Sequence, residues 1–180
     1  MRRVHATIGR ILRLGIVLAA VASGLSCQPG GLSGLTETEA HRILSTYGEA
    51  RNTANLGLLD QVIDAAVVVH DCSVLADIHG LDSLKAYYQG SHAGLPDFKI
   101  TFDTVLVSGD NIIDRWTITA TQTGLLHGIP PAGKSVRFSG MAIDRVVKGK
   151  IVEQWVYFNM LDVMQQLGFS LTPPSSAAGR

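Results

Sequence analysis

Between Leu95 and Phe98 the chain changes its hydrophobic period. Upstream, apolar residues recur mostly three or four apart, the spacing that lines one face of a helix. Downstream they alternate, which places them on one face of a pleated strand. Residues 98–107, 112–123, 135–147 and 151–158 all read as strands. Turns separate them at 108–111, 128–134 and 148–150. Two of these turns are short, so their strands pair as antiparallel hairpins.

The upstream half is helical. Thr36-Glu37-Thr38-Glu39 has the form of a capping box, and Ala40, Ile43, Leu44, Tyr47, Ala50 and Ala54 then follow helical spacing. Residues 56–63 read as a second, shorter helix and the β-branched run 65–71 as a strand. Residues 81–91 form a third helix with Leu84, Tyr87 and Tyr88 on its apolar side, stopped by Gly94-Leu95-Pro96-Asp97. A last amphipathic turn or two spans 160–167 and ends at Gly168. Helices first and long strands last argue an α+β domain: a curved antiparallel sheet with helices packed on one face. No repeat period is visible.

Residues 1–26 read as an address. Residues 1–13 are basic, 14–22 are apolar, and nine apolar residues are too few to span a bilayer, which takes about 20. The run ends in Ser23-Gly24-Leu25-Ser26-Cys27. A small residue before a cysteine at this place resembles the lipobox of bacterial lipoproteins, in which the thiol (here Cys27) is diacylated and anchors the chain to a membrane. Ordinary cleavage between 22 and 26, releasing a periplasmic or secreted protein, is the alternative. Residues 27–35 then form a flexible tether, 36–172 the folded domain, and 173–180 a frayed tail. The whole chain carries 15 basic and 15 acidic side chains, but Arg2, Arg3, Arg10 and Arg13 precede Cys27 and no acidic residue precedes Glu37. Without residues 1–26 the balance is 11 basic against 15 acidic, 11 − 15 = −4. A mildly acidic domain offers no electrostatic footprint for nucleic acid.

Several chemistries are absent. There is no Gly-x-Ser-x-Gly nucleophile elbow and no phosphate-cradling glycine loop ahead of a helix. The six histidines show no metal-ligand spacing. Past Cys27 the sole thiol is Cys72, which reads as a small buried hydrophobe at a strand end or as an intermolecular disulfide partner.

The last strand carries the candidate site. Alternation puts Ile151, Glu153, Trp155, Tyr157 and Asn159 on one face, a mix of apolar walls and placed polar groups that suits a pocket. Glu153 at a solvated rim and Asn159 as a helix cap are the structural alternatives. The opposite face, with Val152, Gln154, Val156 and Phe158, packs on helices or on a second copy in a homodimer. On the second long strand Asp114, Trp116, Ile118, Ala120 and Gln122 share a face. Arg115, on the other face, holds a ligand carboxylate or makes a surface ion pair. His70 precedes Cys72 by two residues and is a further candidate.

Four segments resemble the SnoaL-like polyketide cyclases, also called ester cyclases. Val69-His70-Asp71 resembles the family's Val-His-Asp-Pro, with Cys72 in place of Pro. Leu95-Pro96-Asp97-Phe98 resembles its Phe-Pro-Asp segment. Residues 121–136 resemble its Thr-His-Thr-Gly…Gly-Ile-Pro-Pro-Thr-Gly-Lys stretch, and 149–168 its Gly-Lys-Ile-Val-Glu-x-Trp…Asp…Gln-Gln-Leu-Gly ending. The resemblance implies a cone-shaped α+β fold like that of ketosteroid isomerase and nuclear transport factor 2, wrapped around an apolar cavity and frequently dimeric. It implies cofactor-free aldol closure of a polyketide ester, with a cavity Asp as general acid/base.

The sequence departs from the family at that residue: four positions after Trp155 stands Asn159, and Gln122 replaces the family's His. A carboxamide hydrogen-bonds but does not accept a proton at neutral pH. Two readings follow. The first is an exported domain whose cavity binds a small hydrophobic or polyketide-like molecule, with Asn159, Trp155, Tyr157, Gln122, Trp116, Arg115 and His70 as the binding set. The second is a cofactor-free cyclase or isomerase that abstracts a proton next to a carbonyl, with Asp162 or Glu153 as base.

Overall fold

The computed structural model describes residues 34–172. The expectations for the leader, for Cys27, for most of the tether and for the 173–180 tail lie outside the described residues.

Helix α1 (Glu37–Asn52) starts where the Thr36 side chain accepts from the Glu39 amide at 3.2 Å. It ends at Thr53, whose hydroxyl donates to the Glu49 carbonyl at 2.7 Å. Its buried stripe is Ala40, Ile43, Leu44, Tyr47, Ala50 and Arg51. Residues 56–63 do not form the expected second helix: Leu56–Gln61 make one 3₁₀ stretch and the chain is already extended at Ile63. Strand β1 (Ile63–Asp71) is followed by the two-residue β2 (Ile78–His79), too short to leave a period in the sequence. Helix α2 (Leu81–Gly94) then leads into β3 (Lys99–Ser108), β4 (Asn111–Gln122), β5 (Lys134–Val147) and β6 (Lys150–Phe158). Helix α3 (Met160–Leu167) closes on Gly168, whose φ of 100° is the left-handed cap a glycine tolerates best.

The sheet order is β2-β1-β6-β5-β4-β3. All neighbours are antiparallel except β1 and β6, which run parallel. That pair joins residues more than 80 apart, Val68 with Glu153 and His70 with Trp155, and no turn signal announces it. Between the β5 partners Arg145 and Val146, which face Glu153 and Ile151, strand β6 holds one extra residue, Val152. A second irregularity lies at Asp103 in β3. Such bulges bend a strand and increase its twist, and here they help curl the sheet around the helices.

The core forms two clusters. One packs α1, the 3₁₀ stretch and β1 through Ile43, Leu59, Val67, Leu84 and Ile151. The other gathers Leu95, Phe98, Trp116, Ile118, Val163 and Leu167 at the α3 end. Each fully buried aliphatic side chain stabilises the fold by about 1.5–3 kcal/mol relative to exposure.

Two surface expectations change. Cys72 is exposed rather than buried, and its Sγ is 3.4 Å from the Phe158 amide nitrogen, extending the β1–β6 pairing by one step. Val156 and Phe158 face inward, so they do not form a dimer surface; the outer sheet face instead exposes Met141, Ile143 and Tyr157.

Candidate functional site

Between the concave face of the sheet and the helices lies a cavity of about 530 Å³. Helix α1 contributes Leu44, Tyr47 and Arg51, and α2 contributes Tyr87, Tyr88 and Ser91. Trp116, Ile118, Phe138, Val156 and Phe158 supply an apolar wall from the sheet. Met160, Val163 and Leu167 of α3 and Leu126, His127 and Ile129 of the β4–β5 loop complete it. This volume and lining suit a small apolar ligand.

The polar part of the wall is confined. Asp114 on β4 and Asp144 on β5 both line the cavity and are 1 % and 0 % exposed. Ala142 is the partner of Asp114, and Asp144 the partner of Ile112. The two carboxyls are therefore diagonal neighbours on one face. Gln154, opposite Asp144 on β6, donates from Nε2 to Asp144 Oδ1 at 2.7 Å. Among the described residues neither carboxyl forms a salt bridge. Both Asp114 oxygens and Asp144 Oδ2 are buried with no donor. Burial, reinforced by Asp144, holds the Asp114 carboxyl far above the carboxylate range. Burial also raises Asp144, against the hydrogen bond from Gln154. Two such groups in one dry site do not both ionise at neutral pH, so the pair holds a proton.

Three further polar sets face the cavity. Tyr47 and Tyr88 hydrogen-bond through their hydroxyls, and Arg51 Nη1 donates to Tyr47 Oη at 3.2 Å. Asp71 Oδ1 accepts from the Ser73 amide at 2.8 Å and hydroxyl at 2.6 Å, and Ser73 Oγ lies 3.0 Å from Tyr87 Oη. His127 stacks on Tyr87 with ring centroids 4.6 Å apart and meets Ser91 Oγ at 3.0 Å. Burial lowers its pKa, which favours the neutral ring.

Of the residues read from the sequence, Trp116 lines the cavity. Gln122 does not, although it is 0 % exposed. Its Nε2 donates to the carbonyls of Ile129 (3.1 Å) and Pro130 (3.0 Å), and its Oε1 accepts from Ala132 N at 3.1 Å. It holds the loop that carries His127.

Arg115 makes the surface ion pair, with Nη1 2.6 Å from Asp103 Oδ2. Glu153 lies on the outer face, between Arg145 Nη2 at 2.7 Å and His70 Nε2 at 3.2 Å. His70 also meets Asp77 Oδ1 at 2.9 Å and stacks on Trp155. Tyr157 is 62 % exposed. Asn159 caps α3, accepting from the Asp162 amide at 3.2 Å, and Asp162 Oδ2 accepts from Gln166 Nε2 at 2.9 Å. None of these lines the cavity. Apart from Trp116, the expected binding set and both candidate bases therefore sit outside it.

The reason is the bulge at Val152. Strict alternation couples Ile151 to Glu153, Trp155 and Tyr157. The extra residue breaks that coupling, so buried Ile151 shares its side with Gln154, Val156 and Phe158 instead. The residues that the reading passed over did leave signals. Asp114 is in register with Trp116, and Asp144 is in register with buried Ala142 and Val146. Arg51 lies one helical turn from Tyr47 on the apolar stripe of α1.

Comparisons with known proteins agree with this architecture. The model of the SnoaL-like polyketide cyclase family matches residues 41–167. The chain is similar in structure to TsrD of Streptomyces laurentii, with a TM-score of 0.68 and 22 % identity over 74 % of this chain and 98 % of that one. A Jannaschia sp. CCS1 protein assigned to the SnoaL-like polyketide cyclases has a TM-score of 0.67 and 18 % identity, over 74 % and 94 % of the two chains. An epoxide hydrolase of the LEH-like type from M. tuberculosis has a TM-score of 0.59 and 16 % identity, over 72 % and 90 %. Among the curated proteins none matches. At these identities the structures share the fold.

Proposed function

The chain belongs to the SnoaL-like polyketide cyclase family, and on that premise we propose that it binds a small apolar carbonyl compound and moves protons on it without a cofactor. One observation carries this reading: Asp114 and Asp144 face an apolar cavity together, and among the described residues neither forms a salt bridge. A pair that shares one proton contains both an acid and a base. The ionised carboxylate takes the proton from the carbon next to the carbonyl. The protonated partner donates to the carbonyl oxygen, giving a neutral enol. The enol carbon then attacks a second carbonyl of the same molecule, closing a ring as its O–H returns a proton to the carboxylate that gave it and the other carboxyl protonates the new alkoxide. Alternatively, the carbon takes its proton back from that carboxyl as the O–H is returned to its donor. The role assigned from the sequence to Asp162 or Glu153 passes to this pair, because neither of those side chains lines the cavity.

The test is deuterium uptake by 1-tetralone in heavy water, followed by mass spectrometry. The wild type accelerates exchange at the carbon next to the carbonyl. Asp114→Asn and Asp144→Asn each lower the acceleration by about 10²–10⁴-fold, the usual contribution of general acid–base catalysis. Asp162→Asn and Glu153→Gln leave it within about twofold, a change too small to be loss of a catalytic base. Exchange that persists in both dyad variants and falls in Asp162→Asn would return the role to Asp162.

We also infer attachment to a bacterial cell envelope by acylation of Cys27, supported by the basic and apolar segments that precede it. Labelling with a fatty-acid analogue checks this: Cys27→Ser loses the label and leaves the membrane fraction. A homodimer is supported by the exposed Met141, Ile143 and Tyr157 on the outer sheet face, and sedimentation of Met141→Lys against wild type checks it.

A further inference from the structure

Arg51 is a buried cation that forms no salt bridge among the described residues. It lines the cavity and is 8 % exposed. Its Cζ lies 3.6 Å from the centroid of the Tyr88 ring and 4.6 Å from that of Phe98, so aromatic rings cover the guanidinium. One of its five donors is used, in the Nη1 bond to Tyr47. Its Nε is fully buried with no acceptor, and among the described residues no carboxylate forms a salt bridge with it. Of the three carboxyls of the cavity, Asp144 is engaged with Gln154 and Asp71 with Ser73, and Asp114 forms no salt bridge with Arg51. Burying a guanidinium is costly unless an anion pairs with it. The cation–π contacts and one phenol offset part of that cost, and they leave the planar fork that suits a carboxylate in two parallel hydrogen bonds.

We propose that Arg51 is the receptor for the carboxylate of an otherwise apolar ligand, so that the preferred occupant of the cavity is a free carboxylic acid rather than its ester. This rests on the reading of the cavity as a ligand site and adds the class of ligand.

Octanoate and methyl octanoate distinguish the alternatives, titrated calorimetrically into the full-length protein at pH 7. The wild type binds octanoate at least about tenfold more tightly than the ester, as a charge-assisted bidentate pair requires. In Arg51→Met the two ligands bind with equal affinity. Arg51→Lys, which keeps the charge and gives up the fork, retains part of the preference. If the Met variant fails to fold, the wild-type Arg51 Nε–H nuclear magnetic resonance signal decides the question. Assigned by its loss in Arg51→Lys, it shifts with octanoate and stays fixed with the ester. Equal affinities in the wild type, or a preference that survives Arg51→Met, would overturn the assignment. In either case ester binding leaves the cavity reading intact. Failure of both ligands to bind counts against the two readings together.

Discussion

Asp114 and Asp144 project from adjacent antiparallel strands into the same cavity, diagonal to one another, and one hydrogen bond from Gln154 serves the pair. An arrangement that leaves three carboxyl oxygens without donors is unfavourable for stability and is the kind of feature that functional sites retain. Asp114 has a folded-state pKa above its unfolded one. The sign follows: its protonated form favours the folded state, so this contribution is greatest below the unfolded value and is lost as pH rises toward the folded value. In Asp114→Asn an uncharged amide that can donate to Asp144 removes the penalty. The variant therefore melts higher than wild type at pH 8, by about 2–8 °C for a gain of about 1–2 kcal/mol, and the gain shrinks toward pH 4. Thermal melts of both proteins from pH 4 to 8 check it, and a lower melting point for the variant at pH 8 would contradict the unpaired dyad.

The outer face carries a second pH dependence of the same sign. His70 lies between Asp77 and Glu153, and those two hydrogen bonds, the Asp77 one first, raise its pKa. A raised histidine stabilises the fold below its unfolded pKa and loses that contribution as pH rises through the folded one. The wild-type advantage over His70→Gln is thus larger at pH 5.5 than at pH 8.5. The site is on the surface, so added salt also reduces the advantage. A wild-type advantage that grows with pH would show that the imidazole acts here only by stacking on Trp155.

Both polar ends of the Gln122 side chain are used on the loop that carries His127. Removing it leaves Pro130 O and Ala132 N without a partner in a part-buried setting, and Ile129 O with the Leu126 amide alone. Gln122→Leu loses about 1–3 kcal/mol of stability, the cost of unsatisfied buried polar groups. Amide hydrogen exchange should speed up at Ala132 while the β3–β4 ladder stays protected. Uniform acceleration throughout the sheet would argue that Gln122 supports the core and not the loop.

Gly140 is opposite Trp116 in the β4–β5 ladder, and a β-carbon there overlaps the indole ring and comes 2.7 Å from the Tyr157 carbonyl oxygen. Gly140→Ala must displace Trp116, which lines the cavity. The expected cost is about 1–3 kcal/mol, the range for overpacking a filled core, with a changed near-ultraviolet spectrum for the displaced indole. Chemical denaturation and circular dichroism measure the two effects. An unchanged stability would mean that the ring has room that the packing does not show.

The elements were legible because each rests on a local signal: Thr36 as a cap, alternation in β3 to β6, Gly168 after α3. The site was legible only in part, because it depends on pairings that no local signal encodes. The face bearing Trp116 and Asp114 follows from alternation alone, since β4 is regular from Asn111 to Gln122. The face of β6 does not, because Val152 shifts the period after one residue. Arg51 and Tyr88 come together through α1 and α2, 37 positions apart along the chain. Such a contact is visible once the helices are packed.

Asn159 supplies the last test, since the resemblance of residues 149–168 leads to the expectation of an acid/base carboxylate at its position. Here the side chain caps α3 and lies outside the cavity lining. Asp caps a helix N-terminus as well as Asn does, and its charge favours the positive end of the helix dipole. Asn159→Asp should therefore fold normally, with stability within about 0.5 kcal/mol of wild type. Its carboxylate receives the Asp162 amide and has no path to a ligand held at Trp116 and the dyad. The variant is expected to exchange the protons of 1-tetralone no faster than wild type, and Asn159→Asp combined with Asp114→Asn no faster than Asp114→Asn alone. A clear gain in rate from the single substitution would mean that α3 moves enough in solution to bring residue 159 into the cavity, and the dyad would then have to share its role with that position.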